Sequence, residues 1–143
     1  MMIANILSQK GSNVVTVRPE DDLGAIAATL ASNRIGAVLV LDAGGALAGI
    51  VSERDIVRHL AQSGAAALAQ RASLVMTRGL HTVTPQTSVT EAMGMMTDRR
   101  IRHLPVLDQG RLAGMVSIGD LVKMRMSEIE QEAENLRAFV TAA

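Results

Sequence analysis

The sequence predicts a mixed α/β (α+β) fold built from two β-α-β-β-α units, and three observations predict it. The first is an internal repeat. Residues 16–58, TVRPEDDLGAIAATLASNRIGAVLVLDAGGALAGIVSERDIVR, align with residues 82–123, TVTPQTSVTEAMGMMTDRRIRHLPVLDQGRLAGMVSIGDLVK, with one residue skipped near Gly45. The second is that each copy alternates short β-rich runs with apolar residues at helical spacing. The third is composition. Over 143 residues, 48% are hydrophobic and 20% charged, which is ample for a core in one compact unit or two small dependent ones. A unit of this period cannot bury its apolar face alone and uses its copy to do so.

The elements follow in order. Val14-Val15-Thr16-Val17 is a β-rich run stopped by Pro19, and residues 80–83 repeat it before Pro85. A helix follows with Leu23, Ile26, Ala27 and Leu30 on one face; Val89, Ala92, Met93 and Met96 take that place in the second copy, where Ser88 and Glu91 are spaced as a capping box. The runs 37–41 and 47–51 flank Asp42-Ala43-Gly44-Gly45 and read as a β-hairpin. Ser52 then opens a helix with Ile56, Val57 and Leu60 as its apolar face. The Ala-rich stretch 61–72, broken by Gly64, reads as a helix end and linker. The expected domains are residues 1–66, the first repeat with a short N-terminal helix, residues 67–126, the second repeat, and residues 127–143, a longer C-terminal helix.

Several classes of function are excluded or left without support. Lys+Arg and Asp+Glu number 14 each, so no net positive charge argues for nucleic acid. With no cysteine there is no disulfide framework, thiol nucleophile or zinc-thiolate site. His59, His81 and His103 share no metal-like spacing, and no metal is expected. The N-terminus lacks a signal-peptide pattern and no run approaches a membrane span, so a cytoplasmic protein is expected. No nucleophile–base pair or clustered acid–base set supports an enzyme.

The strongest local signal is Gly49-Ile50-Val51-Ser52-Glu53-Arg54-Asp55, repeated as Gly114-Met115-Val116-Ser117-Ile118-Gly119-Asp120. A strand runs into a helix that opens on serine, with aspartate three positions later. One reading is a capping box that satisfies free helix N–H groups. The other is an anion site at the helix start, suited to phosphate, beside a carboxylate able to accept from a ribose diol. The spacing alone leaves both open.

The repeat resembles the CBS domain, named after cystathionine β-synthase, and the pair resembles a tandem CBS module of the small stand-alone bacterial type. The resemblance is carried by Thr-Val-x-Pro, Val-Leu-Asp, Leu-Ala-Gly and the closing Gly-h-Val-Ser-x-x-Asp, h being apolar, and by Arg99-Arg100-Ile101-Arg102-His103-Leu104-Pro105-Val106. It implies two units packed sheet-to-sheet about a pseudo-twofold axis, with two clefts that bind adenine nucleotides such as AMP, ADP, ATP, NAD or S-adenosylmethionine. Carried over by position, it implies ribose contacts from Asp55 and Asp120 and phosphate or ribose contacts from Ser52 and Ser117. Thr16, Ala37 and Val38, with Thr82, His103 and Leu104, would line the adenine. The copies differ where Gly36-Ala37 faces Arg102-His103, so Arg102 and His103 are phosphate candidates through charge-assisted bonds, as is Arg54, whose counterpart is Gly119. Arg99 and Arg100 belong to the same basic cluster, with solvated helix-end charges that favour the dipole as their other reading.

The C-terminal segment carries a separate pattern. Met126, Ile129, Ala133, Leu136 and Val140 are spaced 3, 4, 3, 4 among glutamates, an amphipathic helix whose apolar face needs a partner. Together these features lead to the expectation of a regulatory module without catalysis: a homodimer that binds an adenine nucleotide, requires no metal, and signals nucleotide state to a regulated protein. A purely structural oligomerisation module, whose Ser-x-x-Asp pairs are caps alone, and a small nucleotide-using enzyme are the alternatives.

Overall fold

The computed structural model describes residues 1–142, which divide into two compact units: Asn13–His81, and Met1–Ser12 together with the chain from Thr82 onward. The first of these begins with β1 (Thr16–Val17) and α2 (Leu23–Asn33), continues through β2 (Ala37–Leu41) and β3 (Leu47–Ser52), and closes with α3 (Glu53–Ser63). A 3₁₀ segment, Gly64–Ala69, and a short helix α4 (Ala72–Val75) complete it. β1 pairs parallel with β2, and β2 pairs antiparallel with β3, as the hairpin pattern predicts. Asp42 builds the turn: its Oδ1 accepts the N–H groups of Gly44 and Ala46, both at 2.9 Å.

The other unit holds α1 (Ile3–Lys10), α5 (Val89–Arg99), the antiparallel hairpin β4 (His103–Asp108) and β5 (Arg111–Ser117), and α6 (Ile118–Ala142). Its hairpin turns on Gln109 and Gly110, both at positive φ, in the tight geometry that matches strand twist. The residue skipped near Gly45 is therefore one extra residue in the first hairpin's turn. The β-run expected at residues 80–83 shrinks to a single parallel bridge, Val83 to Val106. Ser88 Oγ accepts the Glu91 N–H at 3.0 Å, which is half of the expected capping box.

Each unit has its own core. Leu23, Ile26, Leu30, Val38, Val40 and Val51 form one; Ile3, Ile6, Val89, Leu104, Val116 and Leu121 belong to the other. Packing allots the flanking segments crosswise. α1 packs with the second repeat, because Ile3 and Ile6 fill the core beside α5 and α6, and residues 67–81 stay with the first, where Ala72, Val75 and Met76 fill its core. The two preceding segments do the same job. Leu7 sits over Gly114 and Met76 over Gly49, so close that a Cβ on either glycine would lie 2.7 Å from the neighbouring side chain. The recurrent Leu-Ala-Gly is a packing motif.

Two further expectations change. Of the apolar face proposed for α3, Ile56 is buried, but Val57 is 66% exposed and Leu60 lies at the surface, while Asp55 takes the buried place beside Ile56. The recurrent Arg-Ile pairs are helix stops. Arg34 and Arg100 adopt the left-handed conformation at φ 53°, and the next N–H groups, of Ile35 and Ile101, bond back to the Leu30 and Met96 carbonyls at 3.1 Å.

Candidate functional site

In the unit of the first repeat, antiparallel register sets Ala37 opposite Ser52 and Val38 opposite Val51, with Thr16 alongside Leu39 on the parallel strand. Ser52 ends β3 and caps α3, so sheet edge and helix start meet at one junction. The Gly36 carbonyl accepts the Glu53 N–H at 2.9 Å and ties the entry to β2 to the same helix start. Asp55 Oδ2 accepts both the Ser52 N–H (2.8 Å) and the Ser52 hydroxyl (3.0 Å), and Ser52 Oγ accepts the Asp55 N–H at 3.2 Å. The capping box is complete. Asp55 Oδ1 faces the Arg58 guanidinium at 3.5 Å, and Arg54 is exposed on the first turn.

The second repeat builds the same junction. His103 stands opposite Ser117 and Leu104 opposite Val116, and Thr82 precedes the Val83 bridge. The Arg102 carbonyl accepts the Ile118 N–H at 2.8 Å, so Arg102 and Gly36 do the same backbone work despite their different side chains. Asp120 Oδ2 accepts the Ser117 N–H at 2.8 Å, and Ser117 Oγ accepts the Asp120 N–H at 3.2 Å. The sequence-expected residues thus gather in two sets: Thr16, Ala37, Val38, Ser52, Arg54 and Asp55 in one unit, and Thr82, Arg102, His103, Leu104, Ser117 and Asp120 in the other.

One participant was missed. The Lys10 ammonium, at the end of α1, donates to Asp120 Oδ2 at 2.7 Å and to the Met115 carbonyl at 3.0 Å. Burial pushes the Asp120 carboxyl up. The hydrogen bond and charge of Lys10, with the backbone and hydroxyl of Ser117, outweigh it and leave Asp120 below its ordinary value of 3.8. No sequence signal reports this contact, because 110 positions separate the two residues. Arg58, three positions after Asp55 on the same helix, was legible from spacing.

Chemically, each junction offers a helix start, a hydroxyl and a carboxylate, a set suited to holding a phosphate and a diol. Among the described residues, no cluster of His, Asp and Glu is arranged to hold a metal ion, and no helix is long and apolar enough to cross a membrane.

A family profile described as CBS domain matches residues 6–62 and 72–127. The CBS domain-containing protein CBSX3, mitochondrial, of Arabidopsis thaliana is 34% identical over 146 residues, covering 96% of this chain and 71% of its own length. The crystal structure of the CBS-domain containing protein ATU1752 from Agrobacterium tumefaciens superposes with a TM-score of 0.85 at 44% identity, covering 87% of this chain and 92% of its own. The CBS domain protein PAE2072 from Pyrobaculum aerophilum, solved in complex with AMP, has a TM-score of 0.75 at 28% identity, covering 84% and 89%.

Proposed function

The chain belongs to the CBS-domain family, and on that premise we propose that it is a regulatory module that binds an adenine nucleotide and passes nucleotide state to a partner protein, without catalysis. The observation that carries the reading is the doubled Ser–Asp junction. Each copy sets its serine opposite the start of a strand whose residues match the adenine-lining positions of the family. The AMP complex of PAE2072 supports the ligand class. AMP, ADP, ATP and NAD are the candidates. Asp55 and Asp120 hold ribose hydroxyls, Ser52 and Ser117 approach ribose or phosphate, and Arg54, Arg102 and His103 meet phosphate. Ligand that favours one arrangement of the protein over another shifts the population presented to the partner.

The same reading makes the protein a homodimer. Support comes from apolar side chains left in solvent along α6, with Val122, Met126, Ile129 and Leu136 between 40% and 64% exposed, and from Val57 on α3. Monomeric proteins seldom leave so much apolar surface in one stretch without a use for it. A structural module is the competing reading, favoured by the completed Ser52–Asp55 capping box, which accounts for the motif without ligand. Native mass spectrometry of the freshly purified protein separates the two. A co-purifying adenine nucleotide supports the regulatory reading, and its mass tells a mononucleotide from NAD. Bare protein that also stays bare at millimolar nucleotide supports the structural one.

A further inference from the structure

We propose that Lys10 is a specificity-determining residue of the second repeat's site, making it select anionic adenine nucleotides over the uncharged nucleoside; the proposal rests on the nucleotide reading above. The ammonium already occupies the carboxylate that a ribose diol would engage, at 2.7 Å from Asp120 Oδ2. A ribose diol that spans both carboxylate oxygens meets the ammonium at Oδ2, which already accepts the Ser117 N–H, and displaces it. A neutral ligand leaves the displaced charge without a counter-ion, whereas a phosphate at the start of α6 supplies one. The four-carbon stem of lysine lets the ammonium swing between the two.

The first repeat carries no lysine at the matching place; its Asp55 faces Arg58 of its own helix instead, at 3.5 Å and through Oδ1, and the carbonyl beside it is served by the backbone. Leu7 and Met76 occupy equivalent places over Gly114 and Gly49, and three positions on from each stand Lys10 and Gly79. At the carbonyl matching that of Met115, the donor to Ile50 is the Thr77 backbone N–H at 2.9 Å, which completes a two-bond bridge. In the second repeat the lysine side chain does this backbone work, and the same atom reaches on to the aspartate. A backbone donor cannot leave for a ligand without opening the sheet edge. A side-chain donor can.

The pair is partly exposed, at 39% for Lys10 and 25% for Asp120, so the effect is modest. Exchange of such a pair is worth up to about fivefold in affinity. The test is titration of adenosine and of AMP into ¹⁵N-labelled wild type, Lys10→Met and Lys10→Arg. The Ser117 and Asp120 amides read the second site, and the Ser52 and Asp55 amides the first. In Lys10→Met, adenosine should tighten about fivefold at the second site with AMP nearly unchanged, so the AMP preference falls by that factor. Lys10→Arg should keep the preference, and the first site should not respond. An AMP-to-adenosine ratio at the second site that survives Lys10→Met, including equal tightening of both ligands, overturns the proposal alone. Absence of both ligands from both sites in every protein overturns the nucleotide reading and this proposal with it.

Discussion

A Cβ added at Gly49 would meet Met76 Sδ at 2.7 Å and the Thr77 carbonyl oxygen at 2.8 Å, whereas at Gly114 its closest neighbour is a Leu7 methyl at 2.7 Å. A methyl at the end of a side chain can turn away; a backbone carbonyl held in a bridge cannot. Overpacking costs about 1–3 kcal/mol. Gly49→Ala should fall at or above the top of that range and Gly114→Ala near the bottom, as read by urea denaturation of each. At the aspartates, Asp55→Asn and Asp120→Asn each remove an acceptor from a proposed ribose contact. A hydrogen bond to a charged group is worth about 1.5–3 kcal/mol, so each should weaken its own site by roughly ten- to hundredfold. Calorimetric titration of both variants, with circular dichroism to confirm folding, checks it; wild-type affinity in both would mean the aspartates are caps alone. Asp120 carries a pH signature as well. Its folded value lies below the ordinary 3.8, so its stabilising contribution is complete above that value and is lost as pH falls through the depressed one. In Lys10→Met the depression should shrink. The difference in thermal midpoint between wild type and variant should thus be constant at neutral pH and close under acid.

Among the elements, α6 departs most from its sequence reading. One helix runs from Ile118 to Ala142, so the closing helix of the second repeat and the C-terminal amphipathic helix are continuous. Its first turns bury Leu121 and Met124, whereas Leu136, Phe139 and Val140 are between 64% and 73% exposed. Leu136→Asp should therefore leave the fold of each chain intact and weaken self-association, by about a factor of ten or more given the 1.5–3 kcal/mol of a buried leucine. Sedimentation at several concentrations reads this; an unchanged mass would place the helix outside any interface. Periodicity found this helix, since an apolar stripe is written in the spacing, but what covers the stripe is not. The same limit explains α3. Val57 and Leu60 stand at helical spacing with Ile56, yet Ile56 is the one that meets the core. Turn chemistry was the most legible level. Asp42, Ser52 and Ser117 do locally what their side chains do in any chain, and no distant contact is needed to predict it.

Across the whole molecule the repeat was legible and the allotment of its preceding segments was not. Chain order assigns residues 1–12 to the first repeat, but apolar Ile3, Ile6 and Leu7 are bound by packing to the second, and joining distant segments costs little more as the loop lengthens. The Lys10–Asp120 pair was hidden for the same reason, so the cation that faces the second junction's carboxylate lay outside the motif. A chain that starts at Asn13 should lose about 3–6 kcal/mol from the second repeat's unit, the burial of Ile3 and Ile6, with smaller effect on the first. Hydrogen exchange should show protection falling over residues 82–124 and persisting over residues 16–60; uniform loss would contradict two separate cores. The central claim, a regulatory nucleotide site at the doubled Ser–Asp junction, is tested most directly by calorimetric titration of AMP, ADP, ATP and NAD into the wild-type protein, with GTP as the specificity control. The account predicts saturable binding of at least one adenine nucleotide without turnover, with about 2.7 kcal/mol of added stability at a hundred times the dissociation constant. Silence with all four at millimolar concentration, or hydrolysis of the bound nucleotide, would contradict it.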